Sequence, residues 1–410
     1  MCRLWHNICM PTFKIVSFGC RTNQYESQSL HEQLCALGWR PASRGEASEL
    51  AIVNACAVTA SAEKRVRQMV KALLKDGQLK RIIITGCGIQ KNLDGLSDPR
   101  MEVIADKKKL RSSFGGDVEA GISYFYGHSR AFVKVQDGCN NFCSYCIIPH
   151  LRGRSVSRPF SEIIDEAERL SENGYPEVVL TGIHVGDYAF ENKDLSDLIA
   201  AVGKIFGIKR IRLGSMGPDQ MSEKLMGAML ESEKFCLHLH LALQSGSDAV
   251  LGRMRRRYTR SEFLDKVLFL RRERSDFVFT TDVIVGFPGE TEEDFLATLD
   301  MMGKVGFAHT HMFPYSERAG TPAAAYANKV PSNVIADRKT WLMQLSSELA
   351  FAARETFVGR EGELLLENES EGHSRHFILA KGMNKLGERR ALVKVKFLKN
   401  TKEGFLACRL

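Results

Sequence analysis

The first 110 residues alternate between short apolar runs and stretches in which apolar residues recur every three or four positions. The stretch from Asn23 to Leu37 has helical spacing and is followed by Gly38, a frequent residue just after helices. A second helix is predicted from Thr59 to about Lys75. The apolar runs between these helices predict strands at 14–18, 50–53 and 81–84. Strands separated by helices in this way predict βαβ units and a parallel sheet.

A longer series of the same kind extends from about Ala131 to Tyr315. The stretches 161–172, 194–205 and 261–274 have the periodicity of helices. The apolar runs around them predict strands at 132–136, 177–180, 208–213, 236–243, 277–285 and 308–313. Six successive strand–helix units predict a full or partial (β/α) barrel.

The end of the chain changes character twice. Residues 332–357 are predicted to be helical, whereas the tail from Val358 alternates apolar and polar residues with Gly breaks, which is typical of strands. At 410 residues the chain exceeds the ~250–300 at which a single core stops growing. We therefore predict an α/β protein of three domains. They are an N-terminal parallel-sheet domain at 11–125, a central barrel at 126–356 and a small C-terminal all-β barrel at 357–410.

Composition narrows the class of protein further. Hydrophobic residues make up 44% of the chain and charged residues 26%, which is ordinary for globular proteins. No stretch approaches the ~20 apolar residues of a membrane-spanning helix. The segment from Met1 to Met10 has no apolar signal region. We therefore predict a cytoplasmic protein without a membrane partner, and both Met1 and Met10 stay open as the start of translation.

Three cysteines follow the first predicted barrel strand, spaced as Cys139-x3-Cys143-x2-Cys146. In a cytoplasmic chain with eleven cysteines, metal binding or catalysis is favoured over a disulfide framework. Thiolates at this spacing can bind three irons of one [4Fe–4S] cluster and leave the fourth iron open for a small molecule. The alternative is structural zinc, which needs four ligands, and only His150 offers a nearby fourth.

Three further cysteines, far apart in sequence, each follow a predicted strand of the first domain. Cys20 follows Ile-Val-Ser-Phe-Gly, Cys56 follows Ala-Ile-Val-Asn-Ala, and Cys87 follows Ile-Ile-Ile-Thr-Gly. The carboxyl ends of parallel strands lie along one edge of a sheet, where ligands bind. A single cysteine there is usually an inert core residue. Three in the same structural position favour a second three-cysteine cluster site.

Other polar residues near predicted strands carry weaker signals. Thr181-Gly182 follows the second barrel strand, where glycine lets the backbone approach a ligand closely. His238 and His240 alternate with leucines and therefore share one strand face. This alternation favours a polar face turned into the barrel interior over metal ligation.

The net charge of +8 permits a polyanionic partner without requiring one. Between Arg375 and Lys402, nine Lys or Arg residues stand against a single acid, Glu388. A second basic group occupies 253–260. Either group is a solvated surface or a surface that contacts phosphates without reading bases.

Together these features resemble the radical-SAM methylthiotransferases over nearly the whole chain. The three spaced cysteines resemble the N-terminal cluster domain of that family, and the Cys139 loop resembles its radical S-adenosylmethionine (SAM) signature. Residues from about Gly359 are similar to its small RNA-binding TRAM barrel. Four short sequence motifs resemble those of the branch that acts on N6-threonylcarbamoyladenosine in tRNA. They are GCRTNQYE at 19–26, NACAVT at 54–59, LTGIH at 180–184 and FPYS at 313–316.

The resemblance implies the following site residues. One [4Fe–4S] cluster is held by Cys139, Cys143 and Cys146, binds SAM, and has Thr181, Gly182 and Gln244 beside it. A second [4Fe–4S] cluster, held by Cys20, Cys56 and Cys87, offers a methylated sulfur, so that all six cysteines are catalytic. Cleavage of SAM yields a 5′-deoxyadenosyl radical, which removes hydrogen from C2 of the adenosine at position 37. The implied partners are tRNA, an electron donor of flavodoxin or ferredoxin type, and a sulfur source.

Alternatives to this function remain at the level of sequence. The same chemistry could act on isopentenyladenosine in tRNA or on a ribosomal protein, and a non-catalytic iron–sulfur RNA-binding protein is an alternative from another class. A threonylcarbamoyl group carries a carboxylate, so its site should present cationic or hydrogen-bonding groups. His184 and Arg318 are candidates at the carboxyl edge of the barrel, unless both are solvated loop residues.

Overall fold

The chain divides into two compact units, Met1–Ser123 and Tyr124–Leu410. A computed structural model describes residues 10–43, 45–87, 93, 95–115 and 121–410. The question of translation start therefore lies outside the described residues. The predicted domain boundaries at 125 and 356 stay predictions. No helix among the described residues is long and apolar enough to cross a membrane.

The first unit is built on a five-stranded parallel sheet in the order β2-β1-β3-β4-β5. Its strands are β1 (Thr12–Ser17), β2 (Arg40–Pro41), β3 (Leu50–Ala55), β4 (Arg81–Gly86) and β5 (Met101–Val103). Its helices are α1 (Arg21–Ala36), α2 (Ala60–Leu74) and α3 (Lys107–Ser112). All six residues of the central strand β3 are buried, which accounts for its continuous apolar run. The predicted parallel sheet is confirmed.

Helix α2 shows how local sequence sets an element boundary in this unit. Thr59 is its N-cap, and the Thr59 hydroxyl accepts a hydrogen bond from the Ala62 amide at 3.2 Å. By contrast, β2, β5 and α3 were not predicted. They have two, three and six residues, too few to show a periodicity.

The second unit begins with an open parallel barrel of six main strands. They are β6 (Ala131–Lys134), β9 (Glu177–Thr181), β12 (Arg210–Leu213), β13 (His238–His240), β14 (Val278–Val285) and β15 (His309–Pro314). Two isolated parallel bridges, Ile211 to Phe235 and Met216 to Leu241, join the sheet β6-β9-β12 to the sheet β13-β14-β15. The predicted partial (β/α) barrel is confirmed.

Helices and short strands complete the barrel. The helices are α4 (Ile148–Arg152), α5 (Phe160–Glu172), α6 (Leu195–Lys204), α7 (Glu223–Glu231), α8 (Asp248–Arg253), α9 (Arg260–Glu273), α10 (Glu292–Val305) and α11 (Ser332–Glu355). Two short hairpins are formed by β7 (Gln136–Asp137) with β8 (Val156–Ser157), and by β10 (Ala189–Phe190) with β11 (Lys193–Asp194). The strand predicted at 236–243 is shorter in the structure. It stops at His240 because the chain soon turns through Gln244, whose φ is +62°.

The unit ends in a closed five-stranded barrel in the order β16-β17-β18-β20-β19. Its strands are β16 (Glu361–Leu366), β17 (Glu371–Ser374), β18 (Leu379–Gly382), β19 (Leu392–Asn400) and β20 (Phe405–Arg409). Along β19, buried Val393, Val395 and Phe397 alternate with exposed Lys394 and Lys396. This period of two is the pattern from which the small all-β barrel was predicted.

A buried ion-pair group joins the two barrels. Glu177 on β9 is fully buried and lies 2.8 Å from the guanidinium nitrogens of both Arg130 and Arg212. Arg210 Nη1 lies 3.4 Å from the same carboxylate and donates to the His373 carbonyl at 3.1 Å. Arg212 Nη2 donates to the Ser374 carbonyl at 2.7 Å. Burial alone would raise the pKa of Glu177, but the three guanidinium charges outweigh it and hold the pKa at about 2.

We expect Glu177→Gln to destabilise the protein by about 3–5 kcal/mol, because buried Arg210 and Arg212 and partly buried Arg130 lose their shared counter-charge. The folded-state pKa lies below the unfolded value of ~4.3. The stabilisation is therefore fully present above that value and is lost as the pH falls toward 2. Urea denaturation at pH 7 and pH 3 measures both effects. Exposed Glu168, replaced by Gln, is the control and should change stability by less than ~0.5 kcal/mol. Equal stability of the two variants would contradict the prediction.

Candidate functional site

The three clustered cysteines lie on one loop between β7 and α4, beyond the carboxyl end of β6. Cys139 and Cys143 are buried, and Cys146 is partly exposed. The loop packs tightly at its start, because Gly138 has φ +71° and a Cβ there would clash with the Arg154 carbonyl. The loop is also tied to the end of α8, where the Ser144 amide donates to the Met254 carbonyl at 3.0 Å. The sequence therefore holds these three thiols on a loop that is fixed by packing and hydrogen bonds.

Burial raises the pKa of the Cys139 thiol, and it raises that of Cys146 to about 12. Thiols bind metal as thiolates, so loading this loop with metal must displace protons that burial otherwise retains. Partly opposing this, the Asn141 amide donates to Cys139 Sγ at 3.4 Å. These thiols are therefore protonated and unreactive at neutral pH in the absence of metal.

Arg256 is a charged side chain that contacts this cysteine set. Its Nη1 donates to Cys143 Sγ at 3.4 Å, and its guanidinium lies 4.8 Å from the centroid of the Tyr258 ring. Tyr258 is buried and donates to the Ala242 carbonyl at 2.7 Å. Sequence reasoning missed this role, because Arg256 stands within the basic run 253–260 and looks there like a solvated charge.

His184 supports the same loop. Its Nε2 lies 2.9 Å from Asn141 Nδ2, and its Nδ1 lies 2.9 Å from Asp187 Oδ2 and 2.7 Å from Gln220 Nε2. It is only 8% exposed. His184 is therefore not a solvated loop residue, and in this structure its ring nitrogens contact protein side chains. Its Nε2 contacts the cysteine loop through Asn141, and its Nδ1 contacts Asp187 and Gln220, which hold the ring in place.

Two of the residues expected beside SAM, Thr181 and Gly182, lie at the carboxyl end of β9, one strand from the loop. The Thr181 carbonyl accepts from the Val135 amide at 2.8 Å. Gly182 needs its small size, because a Cβ there would lie 2.7 Å from Gln136 Oε1. That same Oε1 accepts from the His184 amide at 2.9 Å. The structure therefore gives Gly182 a packing role close to the cysteine loop.

Gln244, the third residue expected beside SAM, occupies the turn after β13. Its φ of +62° is a left-handed conformation that is uncommon outside glycine. Its amide donates to the Asp282 carbonyl and its carbonyl accepts from the Ile284 amide, each at 2.9 Å. These bonds anchor the turn to β14. Strained backbone held in place by its surroundings is frequent at ligand sites.

Arg318, the other candidate donor for the substrate, is buried at 9% exposure in the segment after β15. Its carbonyl accepts hydrogen bonds from the amide and the hydroxyl of Thr321, the latter at 2.7 Å. Arg318 is thus not a solvated loop residue. Its role toward a substrate stays a prediction.

The three spaced cysteines of the first unit lie where the sequence placed them, at the carboxyl edge of the parallel sheet. Cys20 precedes α1 and is exposed, while Cys56 follows β3 and Cys87 follows β4, both buried. Gly19 adjoins Cys56 closely, since a Cβ there would lie 2.6 Å from Cys56 Sγ. The left-handed φ of +95° at Gly19 allows this approach.

Two asparagine side chains form hydrogen bonds that connect the segments carrying these cysteines. Asn23 Nδ2 donates to the Phe18 carbonyl at 2.9 Å and to the Ala55 carbonyl at 2.8 Å. The Ala55 carbonyl also accepts from the Cys87 amide at 3.1 Å. Asn54 Nδ2 donates to the Asn23 carbonyl at 2.8 Å. The Ala55 carbonyl, next to Cys56, is therefore a common anchor for α1 just after Cys20 and for the segment at Cys87. Sequence reasoning identified the cysteines but not these asparagines, whose side-chain amides look like ordinary loop polarity.

The spacing of the cysteine ligand atoms tests whether they could bind a single zinc ion instead of an iron–sulfur cluster. Around a single ion the ligand atoms crowd together, whereas each thiolate of a cubane cluster binds its own iron. Among the residues that the structure describes, neither cysteine set forms a group of three ligand atoms within 4.8 Å of one another. His150 is exposed, and its ring lies edge-on to Phe142, 5.9 Å between centroids. Neither described cysteine set therefore has the close ligand grouping of a single zinc ion.

Comparison with known proteins agrees with this arrangement. The family model described as "Radical SAM superfamily" matches residues 133–302, and that described as "Uncharacterized protein family UPF0004" matches residues 12–105. A solved radical S-adenosylmethionine methyltransferase, TsrM from Kitasatospora setae, resembles the fold with a TM-score of 0.56, at 13% identity and over 76% of each chain. The fold and the cysteine loop thus define a radical SAM enzyme.

Two similar relatives are methylthiotransferases by name. The threonylcarbamoyladenosine tRNA methylthiotransferase MtaB of Chlamydia pneumoniae is 43% identical, over 89% of this chain and 90% of that protein. The tRNA-2-methylthio-N(6)-dimethylallyladenosine synthase of Caldicellulosiruptor saccharolyticus is 37% identical, over 88% of this chain and 83% of that protein. The chain belongs to the radical-SAM methylthiotransferase family, as the two cysteine sets predicted.

Proposed function

We propose that this enzyme transfers a methylthio group to C2 of N6-threonylcarbamoyladenosine at position 37 of tRNA, next to the anticodon. The observation that carries the proposal is the 43% identity to a threonylcarbamoyladenosine enzyme along about nine-tenths of both chains. The relative that acts on dimethylallyladenosine is 37% identical. This keeps isopentenyladenosine in tRNA as the second candidate substrate.

The cofactors that we propose are two [4Fe–4S] clusters and SAM. The buried loop of Cys139, Cys143 and Cys146 fits the cluster that binds SAM, and the edge set of Cys20, Cys56 and Cys87 fits the second. When bound, these groups supply reductive cleavage of SAM, hydrogen abstraction from C2 and the sulfur that is transferred. Thr181, Gly182 and Gln244 are the proposed residues beside SAM.

The protein's own residues orient and insulate this chemistry. His184, through Asn141, fixes the cysteine loop, and Tyr258 closes its buried side next to Arg256. Because the loop is held by hydrogen bonds before any ligand arrives, little reorganisation is needed at the moment of reaction. Residues 11–125 are the proposed domain of the second cluster, 126–356 the radical SAM core and 357–410 a TRAM-like RNA-binding domain.

Arg256 should tune the reduction potential of the cluster on the cysteine loop. A cationic hydrogen bond to a cluster sulfur favours the reduced, more negative state and so raises the potential. Losing a charged hydrogen bond of about 1.5 kcal/mol corresponds to roughly 60 mV for one electron. We therefore expect Arg256→Gln to lower the potential by about that amount, measured by potentiometric titration followed by electron paramagnetic resonance.

The control for this change is Arg255→Gln, which removes the same charge from the exposed neighbouring position. It should leave the potential within a few millivolts of the wild type, because solvent screens an exposed charge. Equal shifts in the two variants would mean that overall charge, not the contact with Cys143, sets the potential.

The proposed partners are tRNA, an electron donor of flavodoxin or ferredoxin type and a sulfur source. For tRNA, the structure revises the count of available charges in the basic tail. Lys381 is paired with Glu403 at 2.6 Å and Lys385 with Glu369 at 2.8 Å. Arg390 donates to the Tyr175 hydroxyl at 2.6 Å. The charges best placed for phosphates are therefore the exposed lysines of β19, namely Lys394, Lys396 and Lys399.

The proposal is tested by incubating the cluster-loaded enzyme with SAM, a reductant and tRNA that carries threonylcarbamoyladenosine, without oxygen. The expected products are 5′-deoxyadenosine and a nucleoside heavier by a methylthio group. A non-catalytic iron–sulfur RNA-binding protein would form neither product. If 5′-deoxyadenosine forms without modified tRNA, the reaction class stands and the substrate is wrong.

A further inference from the structure

A group of histidines and one aspartate lies on the inner face of the open barrel. Thr280 and Asp282 of β14 pair with His309 and His311 of β15, and Thr280 also pairs with His240 at the end of β13. Residues two apart on a strand share a face, so these side chains project together. They project away from the helices, because Phe279, which precedes Thr280 on β14 and has the opposite orientation, is fully buried and lies under Arg271 of α9.

Three members of this group converge closely. One ligand atom each from His240, Asp282 and His311 lies within 4.8 Å of the other two. His240 Nε2 is 3.3 Å from Asp282 Oδ2, and the rings of His240 and His311 are 5.7 Å apart between centroids. A metal ion bonded to nitrogen and oxygen at ~2.0–2.2 Å holds adjacent ligand atoms about 3–3.5 Å apart. Small side-chain rotations bring all three ligand atoms to that spacing.

The surroundings orient the imidazoles as outer-shell partners do in metal sites. Thr280 Oγ1 lies 3.0 Å from His240 Nδ1 and 3.0 Å from His238 Nε2. A hydroxyl has one proton to donate, so it can accept from His240 while donating to His238. With a metal ion bound, His240 Nδ1 would carry the proton and donate to Thr280, which leaves the Nε2 lone pair for the ion. His309 Nε2 lies 3.2 Å from His311 Nδ1 and so orients the ring of His311 in the same way.

We propose that His240, Asp282 and His311 bind a divalent transition-metal ion, of the class of Zn²⁺ or Fe²⁺, separate from both cysteine sets. Two imidazoles and one carboxylate suit these ions and leave coordination positions open. His309 and His311 are exposed on the inner face, so an ion can reach the site from solvent. The pattern of His238 and His240 alone favoured a polar interior face. The structure adds Asp282 and His311, which are about 40 to 70 residues further along the chain.

The test measures zinc in the cluster-loaded protein, so that the cysteines are occupied by iron throughout. The protein is stripped of loosely bound metal with a chelator, dialysed against a range of Zn²⁺ concentrations without oxygen, and analysed for zinc and iron. We expect one zinc per chain at saturation with unchanged iron. His311→Ala and Asp282→Asn should each weaken zinc binding by more than 100-fold, and Thr280→Val by about 10–100-fold through the orientation of His240.

The matched control is His31→Ala, which removes one imidazole from α1 in the first unit. It should bind zinc as the wild type does. Because His311 is exposed, its truncation leaves the core intact, and the iron content of each variant reports that it has folded. The proposal is overturned if the wild-type protein binds no zinc beyond background, or if His311→Ala and Asp282→Asn bind it as tightly as His31→Ala does. Both readouts are independent of the proposed substrate.

Discussion

Replacing Cys139, Cys143 and Cys146 together by Ala should remove about half of the iron and all cleavage of SAM. A cubane cluster contains four irons, and its open iron is where SAM binds, so a protein with two such clusters loses one of them with its SAM site. Iron and sulfide analysis after anaerobic reconstitution, together with an assay of 5′-deoxyadenosine, measures both effects. The complementary triple variant at Cys20, Cys56 and Cys87 should also lose about half of the iron. It should retain SAM cleavage but form no methylthio product.

The chain offers a control with the same number of thiols removed. Cys35, Cys236 and Cys408 lie outside both sets, and replacing all three by Ala should leave iron content and SAM cleavage close to those of the wild type. Loss of all iron from either cluster variant, or of none, would contradict two independent sites. Zinc as the main metal bound by the cysteines would overturn the assignment of the cofactors.

Offered two tRNAs in competition, the reduced enzyme should modify threonylcarbamoyladenosine and leave isopentenyladenosine almost untouched. The first substituent is polar and carries a carboxylate, whereas the second is a small apolar group. A site whose buried polar groups pair with a substrate can reject an analogue that lacks the partner by up to ~10⁴–10⁵. The measurement is the ratio of the two methylthio nucleosides, with both tRNAs present at equal concentration in one reaction.

The outcome distinguishes the threonylcarbamoyladenosine branch of the family from the isopentenyladenosine branch. It does not test whether the enzyme is a methylthiotransferase. Equal turnover of both tRNAs, or a preference for isopentenyladenosine, would contradict the proposed substrate. A tRNA with unmodified adenosine at position 37 serves as the control and should also be a poor substrate. His184 contacts Asn141 and Asp187 in this structure, and its role toward the carboxylate stays a prediction. Buried Arg318 stays a candidate.

The sequence was sufficient for the main elements of the fold because most of them carry a strong period or a cap. The buried strand β3 was predicted close to its observed position, and the alternation visible in β19 predicted the all-β character of the tail without its strand bounds. Other features depend on contacts between distant residues. The strand β13 ends early because of the turn at Gln244, and β2 is defined only by its pairing with β1. A local pattern contains no trace of such pairings.

The same distinction explains the candidate site. Cysteines are rare and their chemistry is specific, so their spacing alone pointed to two three-cysteine sets. The residues that support them are common polar types, such as Asn23 and Arg256. Their supporting role is visible only in the folded structure, where Asn23 donates to the Ala55 carbonyl and Arg256 donates to Cys143 Sγ. The basic tail shows the opposite error. Counting charges overstated the available surface, because Lys381 and Lys385 are neutralised by acids elsewhere in the barrel.

Nucleoside mass spectrometry of total tRNA from a strain that lacks this protein tests the central claim most directly. The account predicts that 2-methylthio-N6-threonylcarbamoyladenosine disappears while N6-threonylcarbamoyladenosine accumulates, and that a plasmid copy of the gene restores the methylthio form. A copy encoding Ala at Cys139, Cys143 and Cys146 should not restore it. Unchanged levels of the methylthio nucleoside in the deletion strain, or loss of the methylthio form of isopentenyladenosine instead, would contradict the account.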